Sequence, residues 1–243
     1  MVEENELLAE RYGHVLLLTL NRHPKRNALG LAMLQGLVDA FNGADADPDT
    51  RCVVIAARGS CFCAGADLEE ARRLAREQPE LASRRSDLLV DINTIVARLG
   101  TPVIAAVNGP AIGAGAGLAL GSDLVLAAPA ARFGYPEVKH GISAGMLIPN
   151  LIRQVGPKAA FELVATGDPI DAERAYALGM INRIVPEAEL VPAALALAER
   201  LAQFAPAGLS ASKRAFQQAY ELSLEDAVRA ARGVNDRIRA SAG

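Results

Sequence analysis

Three short segments carry the residues that could do chemistry, and each sets a reactive or exposed group on backbone bared by small side chains. The first is Gly113-Ala-Gly-Ala-Gly117. A dinucleotide fingerprint needs glycine at its first, third and sixth positions, and the sixth here is Leu118. It also needs an acid closing the next strand, where Ala127 and Ala128 stand. No Gly-Lys-Ser/Thr triplet occurs, so a phosphate-binding P-loop fails too. What remains is a loop whose N–H groups can approach a ligand at a helix start, where unpaired donors suit a developing negative charge. Tight packing of the helix explains the same composition. The second segment is Cys61-Phe-Cys-Ala-Gly-Ala-Asp-Leu68, which leaves an apolar run and enters a polar, helix-like stretch. Its small residues leave N–H groups uncovered, and Asp67 suits a cap on the following turn. Two such donor sites at the ends of core strands would together form an oxyanion hole. The third is Phe133-Gly-Tyr-Pro-Glu-Val138. If buried beside Phe133, Tyr135 and Val138, the Glu137 carboxyl would have a raised pKa, which suits a proton shuttle. A glutamate on a surface loop is the plain alternative.

These segments need elements to position them. Val15–Leu20, Cys52–Ala57, Val103–Val107 and Leu124–Ala127 read as buried strands. Leu31–Phe41 reads as an amphipathic helix broken at Asp45-Ala-Asp-Pro48. Leu88, Ile92, Ile95, Val96 and Leu99 repeat at helical spacing, and Gly113–Leu120 begins another helix. Strand and helix in alternation predict an α/β core with a largely parallel sheet. Beyond residue 145 the texture turns helical. Helices are expected at 158–166, 171–178, 191–204, 210–220 and 224–239, with one short strand at 181–185. We divide the chain into a core of residues 1–190 and a helical region of residues 191–243.

Composition narrows the classes. The chain has 243 residues, 51% of them apolar and 22% charged, which is a globular balance. Lys and Arg number 25 against 28 Asp and Glu, so a nucleic-acid partner, which would need a basic domain, is not expected. No apolar run approaches the roughly 18 residues of a membrane span. The acidic N-terminus lacks a secretory layout, so a cytoplasmic location is expected. Cys52, Cys61 and Cys63 fit no metal-ligand spacing, and reduced, buried thiols are expected.

Read together, Asn21-Arg-His-Pro-Lys-Arg-Asn-Ala-Leu29, Cys63-Ala-Gly-Ala-Asp-Leu68, Val107-Asn-Gly-Pro-Ala-Ile-Gly-Ala-Gly115 and Phe133-Gly-Tyr-Pro-Glu137 resemble the crotonase (enoyl-CoA hydratase/isomerase) superfamily. The stretch Leu163–Val185 resembles it too, and order and spacing match over about residues 5 to 235. The resemblance implies a crotonase-like spiral of ββα turns, a helical C-terminal trimerisation region and usually a dimer of trimers. It implies that Ala66 and Ala114 supply the two oxyanion N–H groups to an acyl-CoA thioester. It places Glu137 on one of the two hydratase carboxylates and Gly117, which has no side chain, on the other. The acid expected eight residues beyond Glu137 in some relatives is Gly145 here. Lys25, Arg26, Ala28, Ala64, Asp67, Leu68 and Gly117 are the implied substrate-binding positions. Arg22, His23, Lys25 and Arg26 form a basic cluster where the family holds the CoA nucleotide. No metal and no cofactor beyond the CoA of the substrate is implied.

The expected activity is therefore acyl-CoA chemistry through a thioester enolate, with Glu137 as the one catalytic carboxylate. That suits a Δ3,Δ2-enoyl-CoA isomerase or an atypical hydratase. A non-catalytic acyl-CoA-binding or assembly protein of the same fold is the rival reading. A glutamate restored at Gly117 is expected to favour hydration if the glycine marks open space.

Overall fold

The chain, in a computed structural model, is described over residues 5–241. β1 (Leu7–Tyr12) and β2 (Val15–Leu20) form an antiparallel hairpin, with Leu7 opposite Leu20. α1 (Leu31–Ala46) leads to β3 (Cys52–Ala57), and α2 (Leu68–Glu77) and α3 (Pro79–Arg98) lead to β4 (Val103–Val107). β5 (Pro110–Ile112), α4 (Ala114–Leu120), β6 (Leu124–Ala127) and β7 (Arg132–Gly134) follow in close succession. Then come α5 (Ile148–Thr166), β8 (Ile170–Asp171), α6 (Ala172–Ala177) and β9 (Arg183–Ile184). α7 (Glu187–Ala202), α8 (Pro206–Gln218) and α9 (Leu224–Ser241) end the fold.

The main sheet runs β1-β2-β3-β4-β6-β9 and is parallel from β2 onward; β5, β7 and β8 form a small second sheet. Side chains alternate across the strands. Leu18, Leu20, Val53, Ile55, Val103 and Ala105 face the core shared with α1 and α3. Val15, Leu17, Cys52, Val54, Ile104 and Ala106 face the other way, against Leu190, Ala194, Leu197 and Ala198 of α7. A sheet covered on both faces explains why these strands are apolar throughout. Lys213 of α8 ties the helical tail to the sheet, donating to Asp123 at 2.7 Å and to the Thr101 carbonyl at 2.9 Å.

The α/β spiral core and the C-terminal helices are as expected. Some boundaries differ. α1 ends at Ala46, inside the expected breaking segment, with Asp47 extended ahead of Pro48, five residues beyond the expected last helical residue Phe41. α5 begins at Ile148, ten residues before the expected start, because Gly156 (φ 75°) kinks the helix ahead of Pro157 and hides its first half. α7 begins at Glu187 and passes through Pro192, so residue 190 falls inside a helix. β1 was not expected; its solvent-facing polar residues give no apolar alternation. Cys52, Cys61 and Cys63 are free and buried, and burial pushes the Cys52 and Cys63 thiols up to about 12. No helix among the described residues is long and apolar enough to cross a membrane.

Candidate active site

Parallel strands bring the carboxyl ends of β3 and β4 to one edge of the sheet, and the chain beyond each end builds the site. After β3, Cys63 donates to the Pro110 carbonyl (3.1 Å) and accepts from Ile112 (2.9 Å), which binds this loop to β5. On its other side, Leu29 N–H donates to Gly65 O (2.8 Å) and Asp67 N–H to Leu29 O (3.0 Å). In that parallel bridge the flanking groups of Ala66 are used, and its own N–H turns away. After β4, Gly113 (φ 53°) donates to Gly134 O at 2.8 Å and hands over to α4 at Ala114. Among the described residues neither the Ala66 nor the Ala114 N–H finds an acceptor. The two loops meet at Gly65 (φ 94°): a Cβ there would stand 2.6 Å from Ile112 O and 3.5 Å from Ala114 N. Only glycine permits that approach.

Glu137 lies on a 3₁₀ turn, Pro136–His140, after β7. Its Oε1 is 2.6 Å from where a Cβ on Gly113 would be, so the carboxyl rests on the residue before Ala114. Its Oε2 is buried with no partner among the described residues. Burial raises the pKa above the usual carboxylate range, and the nearby His140 offsets this only in part. Phe133 and Tyr135 are buried beneath it as expected, whereas Val138 faces outward. Glu137 is therefore half-buried, with one carboxyl oxygen turned into the fold from an otherwise exposed turn.

The loop carrying Ala66 is held by side chains. Asp67 accepts from Glu70 N–H (3.0 Å), capping α2, and from Arg22 (2.8 Å), which also pairs with Glu6 (2.7 Å). Burial opposes the Asp67 charge, but the Glu70 N–H and Arg22 outweigh it and hold the carboxyl below its ordinary range. Buried Arg85 of α3 donates to the carbonyls of Leu29 (3.3 Å), bridged opposite Ala66, and of Asp67 (3.4 Å), which follows it. Glu70 accepts from Leu31 N–H at 2.7 Å, at the start of α1. Asn27 (φ 54°), fully buried, donates to the carbonyls of Arg58 (3.0 Å) and Cys61 (2.8 Å).

Among the expected substrate contacts, Ala28, Ala64 and Leu68 lie along the paired segments 25–29 and 64–68, with Ala64 N–H donating to Arg26 O at 3.0 Å. Lys25 and Arg26 are exposed, Lys25 near Glu69 at 3.2 Å. Two expectations need correction. Arg22 is not part of a free basic cluster, being spent on Glu6 and Asp67, and the Asp67 carboxylate acts inward as cap and ion-pair partner. Gly117 is not open space: a Cβ there would stand 2.6 Å from Asn93 Oδ1 and 2.7 Å from Leu147 Cδ2. Asn93 and Arg85 were missed. The available signal was a polar residue on the buried stripe of α3, since both lie at helical spacing from Leu88, Leu89, Ile92 and Val96.

Two unpaired N–H groups beyond the ends of parallel strands, near a half-buried carboxyl of raised pKa, make an arrangement chemically suited to holding an oxyanion and moving a proton. Residues 10–242 match the family model for enoyl-CoA hydratase/isomerase. The 2,3-dehydroadipyl-CoA hydratase of Escherichia coli is 38% identical over 222 residues, covering 91% of this chain and 85% of that protein. The crystal structure of an enoyl-CoA hydratase from Mycobacterium smegmatis superposes with a TM-score of 0.90 at 35% identity, covering 96% of this chain and 90% of that one. One from Bacillus anthracis superposes at 0.89 with 30% identity, covering 95% and 90%. The chain belongs to the enoyl-CoA hydratase/isomerase family and is an acyl-CoA-processing enzyme of the crotonase fold.

Proposed function

We propose that the protein carries out thioester-enolate chemistry on enoyl-CoA substrates, with Glu137 as its one catalytic carboxylate. The observation that carries this reading is the Glu137 carboxyl resting against Gly113, one residue from the unpaired Ala114 N–H. The thioester oxygen accepts from Ala66 and Ala114, whose fixed N–H dipoles are worth most as the oxygen gains charge. In isomerisation, Glu137 takes a proton from the α-carbon of a 3-enoyl-CoA, the electrons pass into the oxygen, and the proton returns two carbons away. A single carboxylate suffices for both transfers. In hydration the same group takes a proton from water and returns it to the α-carbon of a 2-enoyl-CoA. Neither reaction needs a cofactor beyond the CoA of the substrate.

Lys25 and Arg26, on an exposed turn, offer positive charge for the CoA phosphates, with Ala28, Ala64 and Leu68 flanking the thioester arm. Assembly as a trimer, or a dimer of trimers, through the region beyond residue 190 is part of the same reading. Its support is the apolar surface of the tail, where Phe204, Phe216, Tyr220, Leu224 and Val228 are exposed. The test is purified protein given 2-enoyl-CoA and 3-enoyl-CoA side by side, with products identified by mass spectrometry. Turnover of either supports the reading. Tight acyl-CoA binding with neither product would instead favour a non-catalytic binding protein.

A further inference from the structure

α3 presents to the Ala66 loop a guanidinium that the fold itself does not need. Arg85 is 7% exposed and shares the buried stripe of Leu88, Leu89 and Ile92. Its Nη2 lies 3.3 Å from Leu29 O and 3.4 Å from Asp67 O, and its Nε lies 3.8 Å from Glu70 Oε2. These are long contacts for a charged donor, which closes to about 2.7–2.9 Å on a well-placed acceptor. Nε is buried with no hydrogen-bond partner among the described residues. Burial works against the charge and draws the guanidinium pKa down, with Glu70 and Asp67 offsetting this only in part. Its acceptors do not depend on it. Leu29 O also accepts from Asp67 N–H at 3.0 Å, Asp67 O from Ala71 N–H at 3.0 Å, and Glu70 Oε2 from Leu31 N–H at 2.7 Å. A buried charge in this state stabilises a fold no better than an apolar side chain of similar volume. Its place in the structure points to another use. Leu29 and Ala66 form a parallel bridge. Leu29 N–H donates at 2.8 Å to Gly65 O, the carbonyl of the same peptide group that carries the Ala66 N–H. A hydrogen bond on the carbonyl of an amide polarises it and strengthens its N–H as a donor. Arg85 touches both chains of this bridge, at Leu29 on one side and Asp67 on the other.

We propose that Arg85 is a positioning residue for the oxyanion: acting through the Leu29–Ala66 bridge, its buried charge stabilises the thioester enolate and not the fold. This rests on Ala66 holding the thioester oxygen as proposed above. As Glu137 takes the α-proton, the electron pair of the broken C–H bond passes to that oxygen, and negative charge develops against the Ala66 N–H. A buried positive charge beside the donating peptide lowers the energy of this anion and leaves the neutral thioester nearly unaffected. The effect therefore falls on the enolate and the transition state leading to it, not on binding of the ground state. Arg22 does not take this part, since its charge is matched by Glu6 at 2.7 Å and Asp67 at 2.8 Å.

The probe is acetoacetyl-CoA, a thioester whose enolate absorbs in the near ultraviolet far more strongly than its keto form. The ratio of enolate to keto form in the bound probe is read against pH for wild type, Arg85→Met and Arg85→Lys. Urea unfolding and affinity for a saturated acyl-CoA are measured on the same proteins. Wild type should favour the enolate relative to free solution. Arg85→Met, an apolar chain of similar reach, should cut that ratio about tenfold while unfolding and saturated acyl-CoA affinity stay near wild type. Arg85→Lys keeps a charge on a flexible stem and should recover part of the ratio. An Arg85→Met protein that holds the enolate as well as wild type would overturn the assignment. So would one that does not fold, or one whose loss of enolate is matched by an equal loss of saturated acyl-CoA affinity. A wild-type protein that leaves the bound probe no more enolised than free solution does would instead remove the oxyanion reading on which the assignment rests.

Discussion

The Ala66 and Ala114 N–H groups, which we propose serve one oxygen, are held in opposite ways. Ala66 sits in a loop clamped by side chains: Asp67 caps α2 and binds Arg22, Arg85 grips the Asp67 and Leu29 carbonyls, and Asn27 ties the approach to it. Ala114 is held by backbone and by the lack of side chains. Gly113 makes room for Glu137, and a Cβ on Gly115 would come within 2.3 Å of Cys63 O. The first donor is tuned by charge and hydrogen bonding, the second by close packing. Substitutions should therefore act differently in the two loops, gradually in one and abruptly in the other.

The largest effect is expected at the packed loop. Ala114→Pro deletes the donor itself and should cost on the order of 3 kcal/mol of transition-state stabilisation. Steady-state kinetics on protein shown to be folded by circular dichroism checks this, and near wild-type turnover would remove Ala114 from the site. At the crossing of the two loops, Gly65→Ala meets both the φ of 94° and the 2.6 Å approach to Ile112 O. We expect a loss of about 1–3 kcal/mol in thermal or urea unfolding. Gly117→Glu should behave as an overpacked core substitution, destabilising by about 1–3 kcal/mol and not favouring hydration, because Asn93 and Leu147 fill the space. A folded Gly117→Glu enzyme with increased hydration would show that this wall yields. In the clamped loop, Asp67→Ala should cost only about 1 kcal/mol as a lost cap. The clamp predicts a fall in kcat as Ala66 loosens, with Asp67→Asn, which keeps the cap, intermediate.

The smallest expected effect concerns pH. Burial raises the folded-state pKa of Glu137, so the folded protein holds this proton more tightly than the unfolded chain does. Ionising it costs stability as pH rises from the unfolded value through the folded one, and the full cost is present above both. Glu137→Gln should therefore raise the melting temperature at pH 7 relative to wild type, with the difference shrinking in acid. The same shift places the rising limb of kcat/KM above the ordinary carboxylate range.

Strand and helix alternation was legible because a sheet buried on both faces writes long apolar runs, as in Cys52–Ala57 and Val103–Val107. β5, β7 and β8 were not, since strands of two or three residues leave no periodic signal. At the site, the small residues marked bare backbone in two loops, but the segment around Glu137 read equally as a surface turn, and the particular positions Glu137, Ala66 and Ala114 came from the family resemblance. The inward use of Arg22 and Asp67 was not legible, because pairing across 45 positions of sequence depends on the folded loops. Gly117 shows the same limit. A glycine marks either open space or a close neighbour, and only the position of Asn93 decides between them.

The central claim is that Glu137 alone moves the proton beneath the two backbone donors. Its most direct test is deuterium exchange at the α-carbon of a saturated acyl-CoA in D₂O, followed by mass spectrometry for wild type and Glu137→Gln, with acyl-CoA affinity measured in parallel. The account predicts exchange by the wild-type protein, at least about a 10²-fold loss in the variant, and nearly unchanged affinity. Equal exchange by the two proteins would contradict it.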